Sequence, residues 1–172
     1  MDLLRIIKER RSIRAFHPEK EIPAAELEQL LEAAIWAPSA GNVQPWKFYV
    51  ISDQRLKQAL VRAAYGQSFI AEAPVVLAVC VELGEASMSY GTRGATLYCI
   101  QDTAAAIQNI LLLAHAIGLS SCWVGAFEES EAAAALDCPR GQRPIAIIPI
   151  GYPAEQASAP RRKALKHVVI RR

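Results

Sequence analysis

The chain has no CxxC pair. Its four cysteines, Cys80, Cys99, Cys122 and Cys138, stand far apart, so zinc, iron–sulfur and thioredoxin-type sites lack their ligand spacing. Most lie in apolar runs, where a free thiol behaves as a small hydrophobe; reduced core thiols are expected. Histidine is scarce. His17 and His167 carry no argument, His115 is expected to be a core residue, and no His or Cys constellation for nucleophilic catalysis is present. No GxGxxG fingerprint occurs, which argues against a dinucleotide-binding Rossmann unit. The start, Met1-Asp2 and an amphipathic segment, lacks the apolar core of a signal peptide, so a cytoplasmic location is expected. No basic face with interleaved aromatics exists, which disfavours nucleic acid as a partner. Thr103 to Phe127 holds no formal charge except at His115, but polar residues interrupt it and Gly118 divides it. A membrane span needs ~20 predominantly apolar residues; a buried central helix fits better.

What is present is an ordinary globular composition, 172 residues with 52% hydrophobic and 21% charged, enough for one domain with a sizeable core. The single unit is expected to span residues 1–172. The net charge of +2 hides an asymmetry: residues 1–14 and 161–172 hold eleven of the nineteen Lys and Arg. Two basic ends on an acidic body point to a localised anion site.

The periodicity predicts a short helix over 2–9, then a helix from Ala24 to Trp36 after Pro23. A turn to Pro45 precedes a strand over Trp46–Ile51. Ser52-Asp53 caps a helix from Gln54 to about Ala64. Val75–Val81 is a continuous apolar run and reads as a buried strand. The Gly-, Ser- and Glu-rich stretch from Glu82 to Arg93 reads as a mobile surface loop. A core helix over Leu97–Ile117, a strand over Ser121–Phe127, an Ala-rich helix over Glu128–Leu136 and a buried strand over Pro144–Ile150 follow. Alternating strands and helices give an α/β or α+β class.

Four segments carry the chemistry. Arg10-Arg11-Ser12-Ile13-Arg14 sets three guanidinium forks and a hydroxyl side by side, a donor set suited to phosphate or carboxylate. Ala37-Pro38-Ser39-Ala40-Gly41-Asn42-Val43-Gln44-Pro45-Trp46 is a turn with more amide chemistry than a helix-to-strand connection needs. Gln101-Asp102-Thr103 leads to Gly118-Leu119-Ser120-Ser121-Cys122-Trp123-Val124-Gly125. Pro149-Ile150-Gly151-Tyr152-Pro153 is followed by Arg162-Lys163. In this order and spacing the chain resembles the nitroreductase family of FMN-dependent flavoproteins.

The resemblance implies a three-layer α-β-α fold, with a mainly antiparallel central sheet, a long buried helix and FMN at the interface of a homodimer. It assigns the FMN phosphate to Arg10 and Ser12, with Arg162 returning from the tail, and places Arg11 among the cofactor-binding residues. Arg14 falls where a cation would face N1 and O2 of the ring; the alternative is a second phosphate ligand. Pro38, Ser39, Asn42 and Gln44 would reach the flavin of the partner subunit. Trp123, Val124 and Gly125 would lie along one flavin face, with a strand bulge as the alternative for Gly125. Tyr90 and Arg93 could reach a substrate. No metal is implied. The implied activity is electron transfer from NADH or NADPH through flavin N5 to nitroaromatic, quinone or similar acceptors in ping-pong fashion. A flavin sensor or carrier without turnover, and a reductive dehalogenase or flavin-remodelling relative, are the other readings.

Overall fold

Strand β2 (Val75–Glu82) is the centre from which the rest is placed. Its side chains alternate between two apolar layers: Val76, Ala78 and Cys80 enter one, Leu77 and Val79 the other. Both faces are therefore covered, which is why the run carries no alternating polar residues. In the computed structural model, which describes residues 2–172, β2 lies between β1 (Trp46–Ile51) and β4 (Gln142–Gly151). A two-residue β3 (Ser120–Ser121) pairs with the far edge of β4, and all three pairings are antiparallel.

Helices α2 (Ala24–Ile35) and α6 (Cys99–Ala116) cover one face. Leu30, Ala34, Ala106, Ile107, Ile110, Leu111 and Ala114 pack there on Leu77, Val79 and Ile148. Trp46 is a core residue of the same layer. Helices α3 (Gln54–Ala63), α4 (Phe69–Glu72) and α7 (Glu129–Ala135) accompany the other face. Leu60, Val61, Ile70, Ala71 and Ala132 meet Val76, Ala78 and Ile147 there. The three-layer α+β architecture and mainly antiparallel sheet expected from the sequence are both present. Local signals placed the helix starts: Asp2 caps α1 (Leu3–Glu9), and Asp53 Oδ1 accepts the Leu56 N–H at 2.8 Å ahead of α3.

Three expectations require correction. Residues 83–93 are not a loop but α5 (Leu83–Arg93), which runs through a π-helical turn, Gly94–Tyr98, into α6. Buried Ala86 packs with Val81 and Cys99, giving this Gly-rich segment a tertiary anchor. The strand expected over Ser121–Phe127 stops at Ser121, and beyond it only Val124 bridges Ile147. Helix α6 is buried along one stripe rather than all round, since Gln101 and Gln108 are exposed and His115 is half-buried, not a core residue. The run Leu83–Ala116 is long and apolar enough to cross a membrane by length and composition, although Tyr90 and Gly91 kink it with non-helical backbone angles. Its α6 portion nonetheless packs Ile107, Ile110 and Leu111 on the sheet, the signature of a core helix.

Candidate functional site

The basic pentad leaves α1 in extended form and is stitched to the sheet edge. Ile13 N–H donates to the Ser121 carbonyl at 3.1 Å, Ser12 bridges Ser121, and Phe16 bridges Pro153. Ile13 and Phe16 are buried and anchor the segment. Arg10, Arg11, Ser12 and Arg14 are thereby presented to one cavity of about 570 Å³. The tail closes its other side with Gln156, Ala157, Ser158, Pro160 and Arg162. Residues some 150 positions apart in the chain thus meet around one space.

The electrostatics of this cavity are one-sided. No carboxylate lines it, and among the described residues no ion pair involves Arg10, Arg11, Arg14 or Arg162. Burial, together with the neighbouring Arg11 and Arg162 charges, pulls the Arg10 guanidinium below its usual range. Arg11 turns one nitrogen to the Lys8 and Arg10 carbonyls. Arg14 differs from its neighbours. Its backbone N–H donates to Glu155, and its guanidinium lies 5.9 Å from the centre of the Phe69 ring. Beneath them sits buried Cys122, its thiol pushed up by burial and drawn back by Arg14, Arg10 and a hydrogen bond with Ser12.

The amide turn is elsewhere. Asp102 Oδ1 accepts the Ala40 N–H at 3.1 Å and holds the start of the turn against α6. Burial raises the Asp102 carboxyl above its ordinary range. Gly41, Asn42 and Gln44 all take positive φ. A Cβ at Gly41 would run into the Tyr90 hydroxyl. Ser39 Oγ accepts the Gln44 N–H at 3.1 Å. Pro38, Asn42 and Gln44 are exposed, Ser39 is half-buried, and none lines the arginine cavity. Val124 is buried, Trp123 half-buried and Gly125 exposed, and these also lie outside it. Within one chain, then, the expected site residues fall into two groups.

The tyrosines near the turn were only partly legible. Tyr90 stacks edge-on against Tyr98 at 5.5 Å between ring centroids, and Arg93 Nε donates to the Tyr98 hydroxyl at 2.9 Å. Tyr98 was missed because it stands in a π-helical turn with no sequence signal of its own. No group of three or more potential metal ligands occurs among the described residues.

A sheet covered by helices on both faces is a fold shared with solved structures. A nitroreductase family protein from Clostridium novyi superposes with a TM-score of 0.82, at 28% identity over 90% of this chain and 87% of that one. A protein from Exiguobacterium sibiricum, solved in complex with FMN, has the same fold, with a TM-score of 0.89 over all of this chain and 98% of its own, at 21% identity. The model of the Nitroreductase family matches residues 7–68 and 61–152. The NADH dehydrogenase of Thermus thermophilus is 34% identical over 188 aligned positions, covering 94% of this chain and 91% of that protein. The chain belongs to the Nitroreductase family.

Proposed function

We propose that the protein is an FMN-dependent oxidoreductase using NADH or NADPH, working as a cytoplasmic homodimer with residues 1–172 as one FMN-binding domain. The observation that carries this reading is the uncompensated cluster of Arg10, Ser12 and Arg162 around one cavity. Guanidinium groups crowded without a carboxylate call for an external anion, and a phosphate dianion satisfies several at once. The donor set therefore fits the phosphate end of FMN. The family membership and the NADH-linked relative support the same assignment.

Bound FMN would supply hydride exchange at N5, with nitroaromatics, quinones or similar conjugated acceptors taking the electrons in a second, ping-pong half-reaction. The chain's own residues bind and orient. Arg10, Arg11, Ser12 and Arg162 would hold the phosphate. Arg14, set apart from them over Phe69, would place its charge toward N1 and O2 of the ring and favour the reduced anion. Trp123, Val124 and Gly125 would flank the ring.

Pro38, Ser39, Asn42 and Gln44 would serve the flavin of the partner, which accounts for the exposure of Pro38, Asn42 and Gln44. The dimer also accounts for otherwise costly apolar surface. Trp36 is 77% exposed, Ile170 84%, and Leu3, Leu4, Ile7, Leu165 and Val168 are exposed as well. A partner copy covering α1, the end of α2 and the tail would bury them.

The test is anaerobic addition of NADH, then NADPH, to the purified protein while flavin absorbance is followed, with the released chromophore identified by mass. Bleaching on addition of either nucleotide is expected. A colourless protein that ignores added FMN overturns the cofactor assignment. A coloured protein that neither nucleotide reduces leaves a flavin carrier.

A further inference from the structure

The sulfurs of Cys80 and Cys138 lie 3.8 Å apart, although 58 positions separate them in the chain. Cys80 is fully buried at the centre of β2, opposite Lys47 of β1 and Pro144 of β4. A register shift falls beside it, between Val79 and Cys80. Cys138 is half-buried in the turn between α7 and β4. That turn is fixed on both sides: Cys138 N–H donates to the Ala133 carbonyl at 2.9 Å, and Gln142 N–H to Pro139 at 3.0 Å. The other two cysteines are isolated from this pair. Cys99 donates to the Ala95 carbonyl within its helix, and Cys122 lies under the arginine cavity.

We propose that Cys80 and Cys138 are a dithiol that hydrogen peroxide closes into an intramolecular disulfide, tying the α7–β4 turn to the centre of the sheet. A disulfide sets its sulfurs about 2.05 Å apart, so they must approach by about 1.8 Å. Side-chain rotation on a half-buried turn residue can supply that displacement.

Cys138 is the entry point, because its partner is sealed from solvent. Its sulfur attacks one peroxide oxygen and the O–O bond breaks. The thiol proton leaves with the second oxygen as water, and Cys138 becomes a sulfenic acid. The Cys80 sulfur then attacks the Cys138 sulfur, forming S–S and breaking S–O. The departing hydroxide takes the Cys80 proton and leaves as a second water. Two thiols lose two electrons and two protons, and one peroxide accepts them.

Burial and the neighbouring Cys138 push the Cys80 thiol up, which slows the second step, and a polar chain borders the pair. The Tyr49 hydroxyl lies beside the Cys138 thiol. It belongs to a hydrogen-bonded chain in which Tyr49 donates to Gln142 Oε1 and Gln142 donates to Glu82 Oε1, each at 2.5 Å. Burial, with Cys138 and Cys80 beside it, holds the Tyr49 phenol protonated, its pKa pushed up to about 12.

The experiment treats the fully reduced full-length protein with stoichiometric hydrogen peroxide. Free thiols are expected to fall from four to two, with a peptide map joining Cys80 to Cys138 and full reversal by a thiol reductant. Cys99→Ser with Cys122→Ser in one chain should still close the bond. Cys80→Ser should stop at a sulfenic acid on Cys138, trapped by dimedone. Circular dichroism of each variant separates a missing disulfide from a missing fold. Retention of all four thiols, a disulfide using Cys99 or Cys122, or over-oxidation of Cys138 in the native sequence would overturn the proposal. None of these outcomes depends on the flavin assignment.

Discussion

Arg10 and Arg14 stand four residues apart and line one cavity, yet they are expected to fail differently when removed. Arg10 shares its space with Arg11 and Arg162, so its loss removes a charge-assisted contact worth about 1.5–3 kcal/mol. Arg10→Ala should weaken FMN binding roughly ten- to a hundred-fold, as measured by fluorescence titration. An unchanged dissociation constant would remove Arg10 from the phosphate site. Arg14→Gln should cost little affinity for oxidised FMN but lower its reduction potential. About 30 mV corresponds to 1.4 kcal/mol for a two-electron couple, so a shift of some tens of millivolts is expected. If affinity collapses and the potential stays, Arg14 is a phosphate ligand instead. Asp102 offers a pH test. Its folded pKa is raised, so the folded chain holds this proton more tightly than the unfolded chain. Its contribution to stability is full below the ordinary value of 3.8 and is lost as pH rises through the folded pKa. Asp102→Asn keeps an acceptor for Ala40 and should flatten chemical-denaturation stability across that acidic window. A slope matching the parent would mean that Asp102 does not titrate differently on folding.

The elements differ in how plainly the sequence announces them. The paired caps and apolar periodicity at Asp53 and Leu60, and the unbroken run of β2, are local and were legible. The pentad was legible because its chemistry lies in the residue types themselves. Helix α5 was not: Gly84 and Gly91 are poor helix residues, and contacts outside the segment hold it, Ala86 on Val81 and Cys99, and Tyr90 on Tyr98. Gly94 marks that packing, since a Cβ there would stand 2.1 Å from the Ala86 carbonyl oxygen. Gly94→Ala should therefore destabilise by about 1–3 kcal/mol, read as a lower urea midpoint. A midpoint equal to that of the parent would show that α5 yields freely. The short β3 has a similar lesson. Ser121 to Phe127 looks like a strand because its residues suit one, but Cys122 N–H donates to the carbonyl of Pro149, which has no N–H to return, and the ladder lapses until Val124 meets Ile147. Contacts across 58 positions, such as Cys80 with Cys138, leave no trace in spacing.

At the scale of the molecule, the two separate groups of site residues make a strong demand. Arg10, Ser12 and Arg162 meet within one chain, whereas Asn42 and Gln44 face outward. If two copies complete two equivalent sites, light scattering should report a dimer at low micromolar concentration, and an FMN-loaded monomer would contradict it. Removing residues 154–172 should weaken both association and FMN retention, because Arg162 and the exposed Leu165, Val168 and Ile170 leave together. Loss of FMN with the dimer intact would confine the tail to the phosphate.

Every residue from 154 to 172 is exposed when the chain stands alone, although five of them line the arginine cavity. A strand of chain without a core of its own takes its order from whatever it lies against. Arg162 is thus in place only while the tail has a surface to rest on. Under the dimeric reading, mass action then couples subunit concentration to cofactor occupancy. Diluting the protein should release the chromophore more steeply than one-site binding predicts, and adding free FMN should hold the subunits together.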